Sequence, residues 1–244
     1  MSSTHKTKTD PVSLQARPRR EVKGPKSGQR VESLLAVGRE VFAERGFEKA
    51  TTAEIASRLG ISEATVFSYF GSKRELCMEV VKRWYDEISL ALEEQLPRVT
   101  GARAKLLHAV RMHLNQLVGE GAGMCAVVLS EGRVADAAFM DLIADLKRRY
   151  IAPLMKAMSV AREQGEVRDD VPLRLMRDMI YGSMEHVLWD YVVSGRKPDI
   201  EQTSEQLVAL LWSAFAPPDP DLSALMTLRS SVAAALREFE DAKA

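Results

Sequence analysis

The sequence predicts an all-α protein, with a small N-terminal three-helix unit followed by a larger helical bundle. Three observations predict it. Apolar residues recur at helical spacing almost without break from residue 30 to the C-terminus. Small hydroxyl residues stand where helices should start, and glycines stand where they should stop. No stretch alternates apolar and polar residues with the period of two that a strand requires.

The chain has 244 residues, 46% hydrophobic and 28% charged, which is ordinary for a globular protein with a sizeable core. No run of eighteen apolar residues is present and the N-terminus has no apolar core of a signal peptide, so a cytoplasmic protein without membrane contact is expected. Cys77 and Cys125 are the only cysteines, and their spacing suggests two reduced thiols rather than a disulfide or zinc framework. His108 and His113 are five apart, which does not place both on one helical face, so no metal is expected. There is no phosphate-cradling glycine loop and no G-x-S-x-G elbow, so neither a cofactor nor an enzymatic activity is expected.

Net charge is zero, yet it is unevenly placed. Residues 1–29 hold Lys6, Lys8, Arg17, Arg19, Arg20, Lys23 and Lys26 against Asp10 and Glu21, a net +5 on a mildly acidic body. Pro11, Pro18, Pro25, Gly24 and Gly28 with few large apolar residues make this a disordered basic arm. Such an arm is either a solubilising tail or a polyanion contact in a minor groove or along phosphates.

The first helix carries Val31, Leu34, Leu35, Val41 and Phe42 on one face and stops at Gly46. Thr51 caps a second helix, with Glu54 three residues on completing a capping box, and Gly60 ends it. Ser62 opens a third helix, with Ile61 and Val66 placed as a hydrophobic staple, and Gly71 closes it. Val66 and Phe70 point inward, leaving Glu63, Thr65, Ser68 and Tyr69 outside. Ser72 and Glu75 form another capping box for a long fourth helix that runs to about Gln95. Further helices are expected over 101–118, near 124–130, through Phe139, Ile143, Tyr150 and Met158, over 172–193, after Asp199, and beyond "APPDPD" to the C-terminus.

Helix, short helix, tight turn, helix is the layout of a helix-turn-helix module. The run "AVGREVFAERGFEKATTAEIASRLGISEATVFSYFGSKREL" resembles the N-terminal domain of the TetR family of bacterial transcriptional regulators. Phe47 after Gly46, the Ile55-Ala56 pair, Gly60, Ser62, Tyr69-Phe70 and Lys73 before Glu75-Leu76 carry the resemblance, over residues 30–76. It implies a helix-turn-helix domain over 30–76 and a ligand-binding and dimerisation domain over 77–244. It also implies that Glu63, Ala64, Thr65, Phe67 and Ser68 face bases in the major groove, and that Tyr69, Lys73, Thr51, Thr52 and the Ser62 helix start approach phosphates. The sequence departs from the family's usual pattern at Ala50, where Thr or Ser is common, and at Phe67, where Tyr is more usual. Losing that hydroxyl leaves an edge suited to a thymine methyl.

The implied function is a ligand-responsive regulator, a homodimer on double-stranded palindromic operator DNA, released by a small hydrophobic effector. The alternative is a helical ligand-binding or scaffold protein that does not read DNA. The helix over 172–193 is apolar on more than one face, so it must bury two sides. Met179, Val187 and Tyr191, with Leu207 and Leu211 on the next helix, are candidates for the dimer interface. Met124, Cys125, Val128, Phe139, Tyr150, Tyr181, Met184 and Trp189 are candidates for a pocket lining, with plain core as the other reading of each. His186 is a candidate for the pocket or for a pairing across the interface.

Overall fold

A computed structural model of the chain describes residues 25–119, 122–134, 137–218 and 220–241. Its described residues form helices joined by short turns, with no strand among them. Contacts divide the chain into two compact units, Met1–Arg83 and Trp84–Ala244.

The first unit contains α1 (Pro25–Lys49), α2 (Thr52–Arg58), α3 (Glu63–Tyr69) and the first part of α4 (Lys73–Gln95). Residues 25–29, expected in the arm, belong to α1: Pro25 sits at the first helical position, where its fixed φ suits a helix and its missing N–H costs nothing. The rest of the expected arm, residues 1–24, lies outside the described residues. α1 is interrupted at Gly46, with φ 70° and ψ 169°, at the position where the sequence marks a stop. Leu34, Val41 and Phe42 bury one face of α1 completely. Gly38 on that helix lets α4 come close: a Cβ there would lie 3.2 Å from Val80 Cγ2.

The helix starts form as their caps dictate. The Glu54 N–H donates to Thr51 Oγ1 at 3.1 Å, the Thr65 N–H to Ser62 Oγ at 3.2 Å, and the Glu75 N–H to Ser72 Oγ at 3.1 Å. Gly60 takes φ 63° in the turn between α2 and α3, a left-handed conformation that a side chain would strain. Ile55, Ala56, Val66 and Phe70 fill the space between these helices and α1.

The second unit contains the rest of α4, a 3-10 turn at Leu96–Arg98, α5 (Ala102–Val118), α6 (Ala122–Val134), α7 (Ala137–Glu163), α8 (Leu173–Ser194), α9 (Ile200–Phe215) and α10 (Pro220–Asp241). α5 is central and packs against α6, α7, α8 and α9. Leu106, Val110 and Leu114 of α5 meet Leu154 and Met158 of α7, Met176 and Ile180 of α8, and Val208 and Phe215 of α9 in a fully buried core. Two turns are fastened by polar contacts: the Glu166 carboxylate accepts from the Ala102 N–H at 3.0 Å, and the Arg168 N–H donates to the Phe215 carbonyl at 2.9 Å. Asp199 caps α9 through the Gln202 N–H, as its position in the sequence predicts. Among the described residues, no helix is long and apolar enough to cross a membrane.

Candidate functional site

Two sites emerge, one in each unit. In the first unit, α3 presents a polar outer face. Ser62, Glu63, Ala64 and Phe67 are exposed, Thr65, Ser68 and Tyr69 are half-buried, and Val66 and Phe70 anchor the helix below. Phe67 keeps 47% of its surface exposed, a large apolar ring projected from a seven-residue helix. Ser68 donates to the Thr65 carbonyl at 2.7 Å, and Thr65 Oγ1 lies 2.9 Å from Ser62 Oγ, so the hydroxyls order the helix they stand on. Arg58 ties α2 to α1 through Glu44 and pairs with Glu54 on its own helix, and these partners hold its pKa above the ordinary value.

Two residues expected on the outer face carry internal work. Thr52 is buried, and its hydroxyl donates to Glu63 Oε1 at 2.5 Å, which locks the start of α2 to the start of α3. The Glu63 carboxylate therefore has a partner inside the unit. Lys73 directs its ammonium onto the carbonyls of Phe47 (2.8 Å), Glu48 (3.2 Å) and Ala50 (3.1 Å), and stands 4.4 Å from the Phe47 ring centroid. Carbonyls left without partners at a helix end attract a cation, and Lys73 supplies it. Thr51 is exposed, and its side chain is engaged in the cap.

In the second unit, five helices enclose a cavity of about 210 Å³. α4 lines it with Trp84, Tyr85 and Ile88, and α5 with His113, Gln116 and Leu117. α6 gives Cys125 and Val128, α7 gives Lys147, Tyr150 and Ile151, and α8 gives Tyr181, Glu185, Leu188 and Trp189. At its heart is an aromatic cluster. His113 stacks on Tyr150 at 5.4 Å and meets the edge of Tyr181 at 5.3 Å, while Tyr85 and Tyr150 approach edge-to-face at 6.4 Å. His113 Nδ1 lies 3.0 Å from the Tyr150 hydroxyl. Lys147 and Glu185 pair across the wall at 3.1 Å.

The buried titratable groups of this cavity are kept neutral. Burial drives the His113 pKa down to about 3, helped by the nearby Lys147 charge, so the imidazole is neutral at pH 7. Burial pushes the Cys125 thiol up to about 12, against a smaller lowering by Lys147, so it stays protonated and is a poor nucleophile. The Tyr85, Tyr150 and Tyr181 hydroxyls are likewise held protonated by burial.

Of the expected pocket residues, Cys125, Val128, Tyr150, Tyr181 and Trp189 are brought together here. Met124, Phe139 and Met184 are not: each is fully buried in the core, because the helical phase turns it away from the cavity. His186 is exposed and does not line the cavity; one residue earlier on α8, Glu185 does. Sequence reasoning missed Trp84, Tyr85, His113 and Lys147. His113 did carry a signal, since it falls on the buried stripe of Leu106, Val110 and Leu117. The outward side of α8 is a second stripe, of Leu175, Met179, Gly182, His186, Trp189 and Val193, all exposed and spaced four and three apart. Of the expected interface residues, Met179 is exposed at 40%, and Val187, Tyr191 and Leu207 are half-buried. Leu211 is buried in the core of its own chain, while Leu210 faces outward with 71% of its surface exposed.

The sequence pattern of "Bacterial regulatory proteins, tetR family" matches residues 34–80, and that of "YsiA-like protein, C-terminal region" matches residues 82–214. The fatty acid metabolism regulator protein of Bacillus subtilis is 24% identical over 193 residues, covering 79% of this chain and 97% of its own. The transcriptional repressor KstR2 of Rhodococcus jostii is 22% identical over 205 residues, covering 79% and 94%. A crystal structure of FadR from Bacillus subtilis in complex with stearoyl-CoA superposes with a TM-score of 0.68 at 23% identity, over 75% of this chain and 97% of that one.

Proposed function

Because the chain belongs to the TetR family of bacterial transcriptional regulators, we propose that it acts as a homodimer on a palindromic operator, and that a small apolar effector in the cavity of the second unit releases it. α3 is then the helix that enters the major groove, with Ala64, Thr65, Phe67 and Ser68 against base edges. Exposed helix starts at Thr51 and Ser62 offer backbone N–H groups to phosphates. The outward stripe of α8 and Leu210 of α9 meet the same surfaces of a second copy, since a two-fold interface uses one patch twice.

The observation that carries the reading is the double role of α4. Its first turn holds Lys73, which fastens the reading unit together, and its middle carries Trp84, Tyr85 and Ile88 on the cavity wall. An effector that favours one placement of α4 biases the spacing of the two reading heads. Effector and operator then weaken each other reciprocally. Repression is the mode proposed, as the KstR2 relative is named a repressor.

The test is capture of sheared genomic DNA on the purified full chain, followed by sequencing. A few enriched sites with two-fold symmetric half-sites are expected. A folded dimer that enriches none at moderate salt would instead be a helical ligand-binding protein that does not read DNA.

A further inference from the structure

We propose that the cavity takes an uncharged molecule the size of one substituted ring, carrying a single acceptor oxygen, of the aryl ketone or aryl aldehyde class. This rests on the effector-binding reading above and narrows it.

Two nitrogens on residues that line the cavity are buried without a partner among the described residues. The Trp84 indole Nε1 is buried with no acceptor among the described residues, on a residue only 3% exposed. An indole N–H donates and never accepts, so whatever satisfies it must offer a lone pair. The second is His113 Nε2, also buried and without a partner among the described residues. The other ring nitrogen of His113 faces the Tyr150 hydroxyl at 3.0 Å. Donation from that hydroxyl to Nδ1 satisfies the tyrosine proton and places the imidazole proton on Nε2, which makes Nε2 a second donor without an acceptor. Buried donors left unpaired are costly, and a ligand oxygen relieves that cost where an apolar ligand does not.

The buried part of the lining offers a ligand no charge. Lys147 and Glu185 are the charged side chains of the described lining, and each is the other's partner at 3.1 Å. Both side chains of that pair are about half exposed, so a ligand carboxylate or ammonium held deeper, among His113 and the tyrosines, would be buried without a charged partner. Size and shape set the rest. An apolar cavity of about 150 Å³ admits benzene, so about 210 Å³ holds one ring with a short substituent. The faces and edges of Tyr85, Tyr150 and Tyr181 suit a ring better than a flexible chain. The ligand of the Bacillus FadR complex, stearoyl-CoA, is far larger and highly charged.

The experiment is titration calorimetry on the full chain at pH 7 with acetophenone, ethylbenzene, benzoate and stearoyl-CoA. Acetophenone is expected to bind about tenfold tighter than ethylbenzene, which has the same ring and nearly the same size but no acceptor. Trp84→Phe and His113→Phe, each checked for folding by its thermal melt, should each reduce that ratio towards one. Equal affinity for acetophenone and ethylbenzene in the wild type overturns the role of the donors. Tighter binding of benzoate overturns the neutral class. Binding of stearoyl-CoA with no response to acetophenone overturns the size assignment and leaves the effector reading standing. Silence with all four overturns the proposal. Binding of acetophenone by a protein that enriches no DNA supports the ligand class and sinks the regulator reading instead, so the two failures are separable.

Discussion

Phe67 and His113 are the residues on which the two proposed activities turn. Phe67 is nearly half exposed on α3, where its open edge is available to a thymine methyl. Phe67→Ala should lower the thermal melt only modestly, since half of the ring is already exposed, and weaken operator binding by about 1–2 kcal/mol. The loss should concentrate at one base pair of each half-site, which a gel-shift series over single-base operator variants would reveal. His113 makes the opposite kind of prediction, one about stability. Its ordinary pKa is about 6.5, and burial lowers it to about 3 in the folded chain. Its contribution is therefore fully present above pH 6.5. It is lost as pH falls towards 3, because the unfolded chain takes up a proton that the folded chain refuses. The slope from this one group approaches about 1.4 kcal/mol per pH unit. Urea unfolding of wild type and His113→Phe at pH 7, 6 and 5 should show the wild type losing stability faster on acidification. Parallel pH dependence would remove His113 from the account.

The helices themselves were largely legible in the sequence. Thr51, Ser62, Ser72 and Asp199 accept the N–H bonds that their spacing announced, because a cap is a local interaction fixed within four residues. What the sequence concealed was phase and partnership across helices. Met184 and Glu185 are neighbours on α8, yet one is core and the other faces the cavity. Leu210 and Leu211 divide in the same way on α9. A rotation of about 100° per residue separates such pairs, and only the packing of α5, α7 and α8 together settles it. Lys73 illustrates the partnership: its carbonyl acceptors lie 23 to 26 residues away, beyond any local pattern. The exposed stripe of α8 belongs to this scale too. Replacing Leu175 and Met179 with Glu, or Leu210 with Glu, should convert the proposed dimer to a folded monomer in sedimentation velocity. An unchanged sedimentation coefficient would place the interface elsewhere.

At the scale of the whole molecule, charge is the quantity that matters. The region over 30–76 balances seven basic residues against seven glutamates, and several of its charges are already paired, as in Arg58 with Glu44 and Glu54 and Glu32 with Arg83. Phosphate neutralisation supplies much of any affinity for DNA. The surplus must therefore come from elsewhere, and Lys6, Lys8, Arg17, Arg19, Arg20 and Lys23 are the cations at hand. Removing residues 1–24 keeps α1 whole from Pro25 and should flatten the plot of log affinity against log salt, by about one unit for each phosphate that the arm neutralises. A slope that does not move would take the arm out of DNA binding.

Trp189 links these scales. It lines part of the cavity wall, yet 47% of its surface is exposed and its position falls on the outward stripe of α8. In the proposed dimer this one side chain would serve both the effector pocket and the subunit interface. On that proposal an exchange at position 189 that alters ligand preference also redraws the contour offered to a second copy. Drift in ligand preference should then be accompanied by compensating changes at His186 and Val193, and paralogues that diverge at these positions should lose the ability to form mixed pairs.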